Sequence, residues 1–398
     1  MKTWLNKLGY TDERINGLNI VHVAGTKGKG STCAFVESFL RAHGRRTGAT
    51  QKVGLYTSPH LIELNERIRI NFDPLPQHIF AQYAFEVRDG LDIQPTDPRP
   101  RYLQLLALIS FHAFFKEGVD VAIYETHHGG EFCATNVVQH PVVTGITSIG
   151  MDHVHDLGPT VENIAWHKAG IFKTGTPAFS QPQTVEVTEV LQQQAAKKGV
   201  DLKFVTAHDT FPSSLQEEQL MNASLAREIT DCFLESKYPD APALTSQDIH
   251  DGVQQFSWPG RFQTVSDGKY LWCLDGAHNE ISIEKAALWF QRLSRRVGVL
   301  KRLAASINVE INHAIFTKFE DNEKDQALLN EFGKCWTDTF PETKVWSDFT
   351  HGQVMARVEE LGKGAQDVDV LVTGSLHLVG SILRCLSKEA GDNMRERH

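Results

Sequence analysis

The sequence predicts an α/β protein in which a phosphate-loop domain with a mostly parallel sheet is followed by a smaller, Rossmann-like α/β domain. Short strand-like runs alternate with helix-like segments along the 398 residues, as expected for strands joined by crossover helices. One strand-like run, 19–24, leads into a glycine-rich turn and then a helix-like segment. A Trp-Pro-Gly triplet at 258–260 interrupts the pattern, so we expect one domain over 1–257 and a second over 258–398.

In the first domain, β-branched residues mark the strands, and apolar residues at helical spacing mark the helices. The predicted strands are 19–24, 119–125, 141–149 and 202–205, and the predicted helices are 31–43, 101–117, 161–171 and 184–198. We expect the first of these helices to end at Gly44, because glycine commonly follows the last residue of a helix. The segment from 211 to 245 is polar and helical, with prolines at 212, 239 and 242.

The same alternation resumes in the second domain over a shorter stretch of chain. The predicted strands are 262–265, 270–274, 313–317 and 369–373, and the predicted helices are 281–295, 324–340, 350–361 and 376–386. These segments predict a small sheet flanked by helices.

Composition narrows the class of protein. Hydrophobic residues make up 41% of the chain and the formal net charge is -9, which argues against nucleic acid or an anionic membrane as the main partner. The six cysteines form no C-x-x-C pair, which is typical of a reducing compartment. The longest apolar stretch, 103–115, is too short to span a bilayer. We therefore expect a cytoplasmic protein without a membrane segment.

A glycine-rich loop lies between the first predicted strand and helix, which is the context in which such a loop binds phosphate. It reads GTKGKGST, and its candidate nucleotide-binding residues are Gly25, Thr26, Gly28, Lys29, Gly30, Ser31 and Thr32. Its backbone N–H groups would converge on phosphate oxygens at the positive end of the helix. Lys29 would reach the β- and γ-phosphates, and Ser31 or Thr32 would offer a hydroxyl to Mg²⁺. The spacing of the loop residues departs from the standard Walker motif. The plain alternative to a phosphate-binding loop is a glycine-rich turn with solvated lysines. We expect Lys27 to be solvated only.

This loop resembles that of the folylpolyglutamate synthases, which belong to the Mur-ligase superfamily. Further segments resemble blocks of that family and occur in the same order. Their residues are similar to those of the fungal branch of the family. The segments are LYTSPHL (55–61), NERIRIN (65–71), GMDH (150–153), HKAGI (167–171), PGRFQ (259–263), LDGAHN (274–279) and VTGSLHLVG (372–380). The resemblance extends over almost the whole chain.

The resemblance implies an ATP-dependent amide ligase with a Mur-ligase-type fold. In that chemistry ATP phosphorylates a carboxylate, and the amine of an incoming amino acid attacks the acyl phosphate. For this family the carboxylate belongs to the glutamate tail of a reduced folate, and the amine is that of L-glutamate. The implied cofactors are ATP and Mg²⁺, with a monovalent cation as a further option.

The resemblance also implies a metal site. Its candidate ligands are Ser31, Ser58, Glu125 and His153. Glu125 ends a predicted buried strand, and the plain alternative for it is a salt bridge at a sheet edge. His153 follows an aspartate, where a histidine is more often an ordinary surface or core residue. Four histidines between 127 and 155 raise the question of zinc, but their spacing fits no structural zinc pattern.

The implied catalytic residues are Lys29, His153 and Lys168. Lys168 resembles the lysine that family members carry in carbamylated form, whereas the plain alternative is an ordinary helix lysine. From the second domain, Arg261, Asp275 and His278 resemble the residues that contact ATP from across the cleft. The next residue, Asn279, could simply cap a helix.

Three departures from the family pattern concern the substrate. Cys133 stands where family members usually carry aspartate, only about one element fits between 296 and 316, and the N-terminal helices are reduced to 1–8 and its neighbours. They leave open the alternative that the protein is a diverged paralogue that joins a non-folate carboxylate to an amino acid or amine.

A non-catalytic nucleotide-binding protein would require damage to the phosphate or metal residues, all of which are present. A plain phosphate-loop ATPase or kinase is disfavoured by the DGAHN and PGRF blocks. The expected partners are small molecules, and the expected state is a monomer.

Overall fold

The computed structural model describes residues 1–212, 215–277, 280–293, 311–318 and 323–395. The chain divides into two compact units, Met1–Ser257 and Trp258–His398. Within the described ranges, no helix combines the length and the apolar character that a membrane crossing requires.

The first unit is built on a sheet of eight strands. They are β1 Ile20–Ala24, β2 Val53–Tyr56, β3 Ile68–Ile70, β4 Asp73–Pro74, β5 Val121–Glu125, β6 Val143–Ile146, β7 Ala178–Ser180 and β8 Leu202–Phe204. Their order across the sheet is β4-β3-β2-β5-β1-β6-β7-β8. The strands from β2 to β8 in this order pair in parallel, and β3 and β4 add an antiparallel edge. The predicted mostly parallel α/β sheet is confirmed.

Helices cover both faces of this sheet, which explains why β1 and β5 are buried along their whole length. The helices are α1 Lys2–Lys7, α2 Asp12–Asn16, α3 Lys29–Thr47, α4 Gln77–Leu91, α5 Tyr102–Glu117, α6 Val154–Leu157, α7 Val161–Lys168, α8 Val185–Lys198, α9 Glu217–Lys237 and α10 Ser246–Gln255. One apolar cluster joins α4 and α5 to the sheet, and another joins α7 and α8 to it. Helix α3, which follows the glycine-rich loop, packs against α9 and α10.

The prediction that Gly44 ends the first helix after the loop is wrong. Helix α3 continues to Thr47, and Gly48, with φ of 78°, follows it in the left-handed conformation that suits a helix end. Gly44 has a packing role instead, because a Cβ there would lie 1.9 Å from the carbonyl oxygen of Thr50. A glycine inside a helix permits this close approach of two backbone segments.

The sequence prediction did not find several elements of the first unit, most of them short. It missed β2, β3, β4 and β7, which have between two and four residues and are too short to show a period. The sequence prediction also missed α4, α6 and α10, and it gave only helical regions without bounds for α2 and α9. The remaining strands and helices of the first unit occur where they were predicted, with shifted ends.

The second unit contains two small sheets and four helices in its described part. Its strands are β9 Gln263–Asp267, β10 Tyr270–Leu274, β11 His313–Lys318, β12 Lys344–Thr350 and β13 Val368–Val372, and its helices are α11 Glu280–Leu293, α12 Glu323–Thr339, α13 His351–Leu361 and α14 Leu376–Arg395. Strand β10 pairs in parallel with β13 and antiparallel with β9, and β11 pairs in parallel with β12. Strand β12 was not predicted. Most of the stretch 296–316, where we expected about one element, lies outside the described residues.

Candidate active site

The candidate site of the first unit lies where β1 and β5 end. These two strands are neighbours in the middle of the sheet and run in parallel, so the segments that follow them emerge at the same edge. The glycine-rich loop follows β1, and Glu125 is the last residue of β5. This edge of an open α/β sheet is where ligands generally bind.

Two glycines of the loop are required by close packing. Gly25 has φ of 148° and Gly28 has φ of 84°, a range that L side chains rarely adopt. A Cβ on Gly25 would lie 1.8 Å from the hydroxyl oxygen of Thr147, and a Cβ on Gly28 would lie 2.3 Å from Oδ1 of Asn222. The backbone can therefore curl toward the start of α3 only because these side chains are absent.

The rest of the loop is anchored to the segment after β6. The N–H groups of Thr26 and Lys27 donate to the carbonyl oxygen of Ser148, at 2.8 and 3.3 Å. The prediction that Lys27 is only solvated is wrong, because its Nζ lies 3.0 Å from Oδ2 of Asp152. The Thr32 hydroxyl donates to Oδ1 of Asn222 at 3.3 Å. Of the two hydroxyls proposed for Mg²⁺, Thr32 is thus bound inside the protein, which favours Ser31.

Lys29, Ser58 and Glu125 come together at the end of β5. Oε2 of Glu125 accepts a hydrogen bond from the N–H of Ser58 at 2.9 Å, and Nζ of Lys29 lies 3.8 Å from Oε1. The side chains of Lys29 and Glu125 are only 12% and 6% exposed. Glu125 does form an ion pair, as the plain alternative proposed, but on an interior strand and with the lysine of the loop.

The donor set at this point fits Mg²⁺. Mg²⁺ prefers oxygen ligands and is usually held by one or two carboxylates together with substrate phosphates. The Glu125 carboxylate and the Ser31 and Ser58 hydroxyls are donors of that kind. Among the described residues, no group of three or more His, Cys, Asp or Glu side chains is arranged to hold a metal ion.

Lys168 is not an ordinary helix lysine. It is 1% exposed at the end of α7, and its Nζ donates to the carbonyl oxygens of Gly25 at 2.7 Å and His128 at 3.2 Å. Burial lowers the pKa of this amine well below its usual value, and the positive charge of Lys29 lowers it further. Lys168 therefore supports the phosphate loop directly.

His153 lies on the surface segment just before α6. Its side chain is 49% exposed, its backbone has φ of 51°, and its ring centroid lies 5.0 Å from that of His128. Burial lowers the pKa of His153, although the neighbouring Asp152 opposes the shift. The structure places His153 beside the loop anchor Asp152 rather than in contact with Glu125.

Sequence reasoning missed a hydrogen-bonded network beside this site. The phenol of Tyr56 lies 2.8 Å from Nε2 of His127, and Nδ1 of His127 lies 3.6 Å from the sulfur of Cys133. The sulfur also accepts from the N–H of His127 at 3.3 Å and lies 3.2 Å from the hydroxyl of Thr135. Burial lowers the pKa of His127 to about 3, so its ring is neutral. The HH pair after Glu125 was the available signal.

In the second unit, Asp275 joins the PGRF and DGAHN segments. Its Oδ2 accepts from the N–H of Phe262 and its Oδ1 from the N–H of Ala277, both at 2.9 Å. NH1 of Arg261 donates to the carbonyl oxygen of Gly260 at 3.3 Å. The structure thus brings Arg261 and Asp275 into one turn region. His278 and Asn279, predicted beside them, lie outside the described residues.

Comparisons with known proteins agree with the family resemblance that the sequence motifs indicate. No protein-family model matches the chain. The folylpolyglutamate synthase of Neurospora crassa is 37% identical over 450 residues, covering 98% of this chain and 85% of that protein. A folylpolyglutamate synthase of Saccharomyces cerevisiae (strain FostersO) is 33% identical over 452 residues, covering 96% and 80%.

Two solved structures show the fold. The Mycobacterium tuberculosis folylpolyglutamate synthase complexed with ADP and AMPPCP has a TM-score of 0.76 and 21% identity, covering 96% of this chain and 93% of that one. The FPGS–AMPPCP–folate complex has a TM-score of 0.74 and 24% identity, with the same coverage. The predicted Mur-ligase-type fold is confirmed. By sequence and by fold, this chain belongs to the folylpolyglutamate synthase family.

Proposed function

We propose that this protein is an ATP-dependent ligase that joins the terminal carboxylate of a reduced folate to the amine of L-glutamate. The observation that carries the proposal is the meeting of Lys29, Glu125 and Ser58 at the end of β5. In a chain of this family, that meeting supplies a phosphate-binding lysine beside a carboxylate suited to a metal. The names of its relatives, and the ATP analogue and folate in a related structure, support the same interpretation.

The phosphate loop supplies positioning. The N–H groups at the start of α3 point along the helix axis, where an anion is favoured by the helix dipole. Lys29 would hold the β- and γ-phosphates, while Gly25, Thr26, Gly28, Gly30, Ser31 and Thr32 form the cradle. Because acyl phosphate formation is a phosphoryl transfer, catalysis depends mostly on such positioning and on charge stabilisation.

Mg²⁺ would be held by Glu125 with Ser31 and Ser58, and His153 is the proposed further ligand. When bound, Mg²⁺ neutralises charge on the phosphoryl group that is transferred. Glu125 is already oriented for this task, because one of its oxygens is fixed by the Ser58 N–H group. Nζ of Lys29 lies 3.8 Å from the other oxygen, so a positive charge faces the carboxylate.

Lys168 has two proposed roles. Its contact with the carbonyl oxygen of Gly25 fixes the first turn of the loop. Its lowered pKa favours the neutral amine, which is the nucleophilic form that carbamylation requires. In the second unit, Arg261, Asp275 and His278 are the proposed contacts to ATP.

A diverged acceptor is the second candidate, and Cys133 favours it. The resemblance to the family implies an aspartate at this position, whereas the sulfur of Cys133 is hydrogen-bonded to His127 and close to Thr135. A thiol cannot replace the charge of a carboxylate, so the acceptor pocket of this protein would differ. The proposed partners remain small molecules, and the proposed state is a monomer.

The test measures ADP release with Mg-ATP and L-glutamate, with and without tetrahydrofolate, followed by mass spectrometry. We expect folate-dependent ADP release and a product heavier by one glutamyl unit. ATP binding without folate-dependent turnover would instead support the diverged acceptor, and amide formation would then be sought with other carboxylates. ATP hydrolysis that never yields an amide would contradict both.

A further inference from the structure

Arg67 carries a buried positive charge immediately before β3. The residue is 5% exposed, and its NH1 atom is buried without a hydrogen-bond partner. Its Nε donates to Nδ1 of His60 at 3.0 Å, and its guanidinium lies 5.8 Å from the ring of Tyr102, a side chain that is 56% exposed. An arginine side chain is always charged, so this position concentrates positive charge just beneath the surface.

In the described part of the chain, no carboxylate forms an ion pair with Arg67 within 4.0 Å. The nearby Glu66 accepts from the N–H groups of Leu61, Ile62 and Glu63. Glu125 is bound to the Ser58 N–H group and paired with Lys29. The ion pairs found within 4.0 Å in the first unit involve other basic residues.

The groups that do touch Arg67 are neutral acceptors. Nδ1 of His60 accepts its hydrogen bond, so that nitrogen carries no proton. The other neighbour is the phenol of Tyr56. A buried charge without a counter-charge is strongly unfavourable, and an arginine fork matches a carboxylate in a bidentate arrangement. The cluster of Arg67, His60, Tyr56 and Tyr102 is therefore built to receive an anion.

The position of Arg67 identifies which anion it receives. The N–H of Thr57 donates to the carbonyl oxygen of Arg67 at 3.0 Å, so Arg67 lies beside the segment that carries Ser58. Nζ of Lys29, a residue of the phosphate loop, lies 3.8 Å from Oε1, the other oxygen of Glu125. An anion at Arg67 would therefore lie close to the segment that carries Ser58, whose N–H group binds the Glu125 carboxylate.

We propose that Arg67 binds the α-carboxylate of the terminal glutamyl residue of the acceptor, the carboxylate that is not activated. This inference rests on the proposed ligase function. An acceptor that ends in glutamate has two carboxylates, and only one reacts. Fixing the α-carboxylate at Arg67 directs the γ-carboxylate toward Glu125 and Ser58, and so selects the carboxylate that ATP phosphorylates.

The test compares two acceptors with the same reactive carboxylate. One is tetrahydropteroylglutamate, and the other is its 4-aminobutyrate analogue, which lacks only the α-carboxylate. We expect the wild type to prefer the glutamyl acceptor in kcat/KM by about 10- to 100-fold, the range of one charge-assisted bidentate contact. Arg67→Gln should lower kcat/KM for the glutamyl acceptor by that factor and leave the analogue nearly unchanged. Arg67→Lys should restore part of the preference.

Arg69→Gln is the matched control. It removes a nearby arginine, which lies in β3 and donates to the carbonyl oxygens of Glu66 and Phe72. Its preference for the glutamyl acceptor should equal that of the wild type. If Arg67→Gln lowers turnover of both acceptors equally, or raises KM for ATP instead, the inference is overturned. If the wild type itself forms no amide with either acceptor, the proposed function fails first.

Discussion

At the scale of single residues, Gly28 joins backbone conformation to phosphate binding. Its positive φ, and the distance of 2.3 Å that an added Cβ would have to Asn222, impose two separate penalties on any substitution. We predict that Gly28→Ala lowers the free energy of unfolding by about 3 kcal/mol, from left-handed strain plus overpacking. Gly175 also has a positive φ of 77° but open space around it. Gly175→Ala should cost only about 1–2 kcal/mol.

Chemical denaturation measures both free energies, and titration with a non-hydrolysable ATP analogue measures the site. Only Gly28→Ala should weaken binding of the analogue, because only Gly28 shapes the loop. Equal losses of stability in the two variants would show that the contact with Asn222 is relieved without cost.

Lys29 is the residue whose loss should most slow phosphoryl transfer. We predict that Lys29→Ala lowers folate-dependent ADP release by on the order of 100- to 1000-fold, since a positive charge aimed at the transferring phosphoryl group is lost. The carboxylate of Glu125 would also lose its buried partner. ADP release is measured by a coupled assay. Lys203→Ala, which removes a 65% exposed lysine, serves as the control and should release ADP at the wild-type rate.

Sequence patterns identified most residues of the site but not how they meet. Lys29, Ser58 and Glu125 stand in recognisable segments at strand ends, and the parallel order of β2, β5 and β1 brings them together. The contact of Lys168 with Gly25 joins positions separated by 143 residues, and no local pattern records such a bond. Arg67 could not be identified in this way, because its significance lies in its burial and in the charge of its neighbours. His127 was marked only by the HH pair, which does not reveal its contacts with Tyr56 and Cys133.

At the scale of elements, α3 is tied to α10 by an ion pair between the exposed Arg46 and the buried Asp248. Nε of Arg46 donates to Oδ1 of Asp248 at 2.9 Å, and NH2 donates to Oδ2 at 2.6 Å. Asp248 also accepts from the N–H and hydroxyl groups of Thr245 at the start of α10. Since α3 begins at the phosphate loop, this pair helps to hold the helix that presents the loop.

This ion pair predicts a specific loss of stability in acid. Burial alone would raise the pKa of Asp248, but hydrogen bonds from Arg46 and Thr245 outweigh it and lower the pKa from 3.8 to about 2. A carboxyl group whose pKa is lower in the folded than in the unfolded protein stabilises the fold at pH values above its unfolded-state pKa. This contribution disappears as pH falls from about 4 to about 2. Because the Arg46 side chain is 35% exposed, solvent screening reduces this contribution to about 1 kcal/mol at neutral pH.

Asp248→Asn should remove that pH-dependent part and lower the melting temperature at pH 7. Thermal unfolding followed between pH 2 and pH 7 measures it. Asp240→Asn, at an exposed position, should keep the wild-type acid profile. The prediction would be wrong if Asp248→Asn lost stability below pH 4 as steeply as the wild type.

Element prediction succeeded where length and pattern were sufficient. Helix α5 and strand β10 were found almost as they are, because each has a run of apolar residues with clear ends. Helix α3 was predicted too short because Gly44 serves packing against Thr50 rather than termination. Strands such as β3 owe their existence to pairing with β2, a tertiary interaction that a local window does not contain.

At the scale of the whole molecule, the first unit contains every strand of its own sheet and the apolar clusters on that sheet. We therefore predict that residues 1–257 alone fold cooperatively and bind an ATP analogue. Binding should be weaker than in the full chain, because the proposed ATP contacts Arg261 and Asp275 are missing. Amide formation should be absent, since the reaction is proposed to need both units. Circular dichroism, calorimetric titration and product analysis measure folding, binding and amide formation, respectively.

Arg261→Ala in the full chain provides the comparison, as it should weaken ATP binding while the fold stays complete. Amide product from the fragment would remove the second unit from the reaction, and a fragment that does not fold would show that the boundary at Ser257 does not separate independent domains.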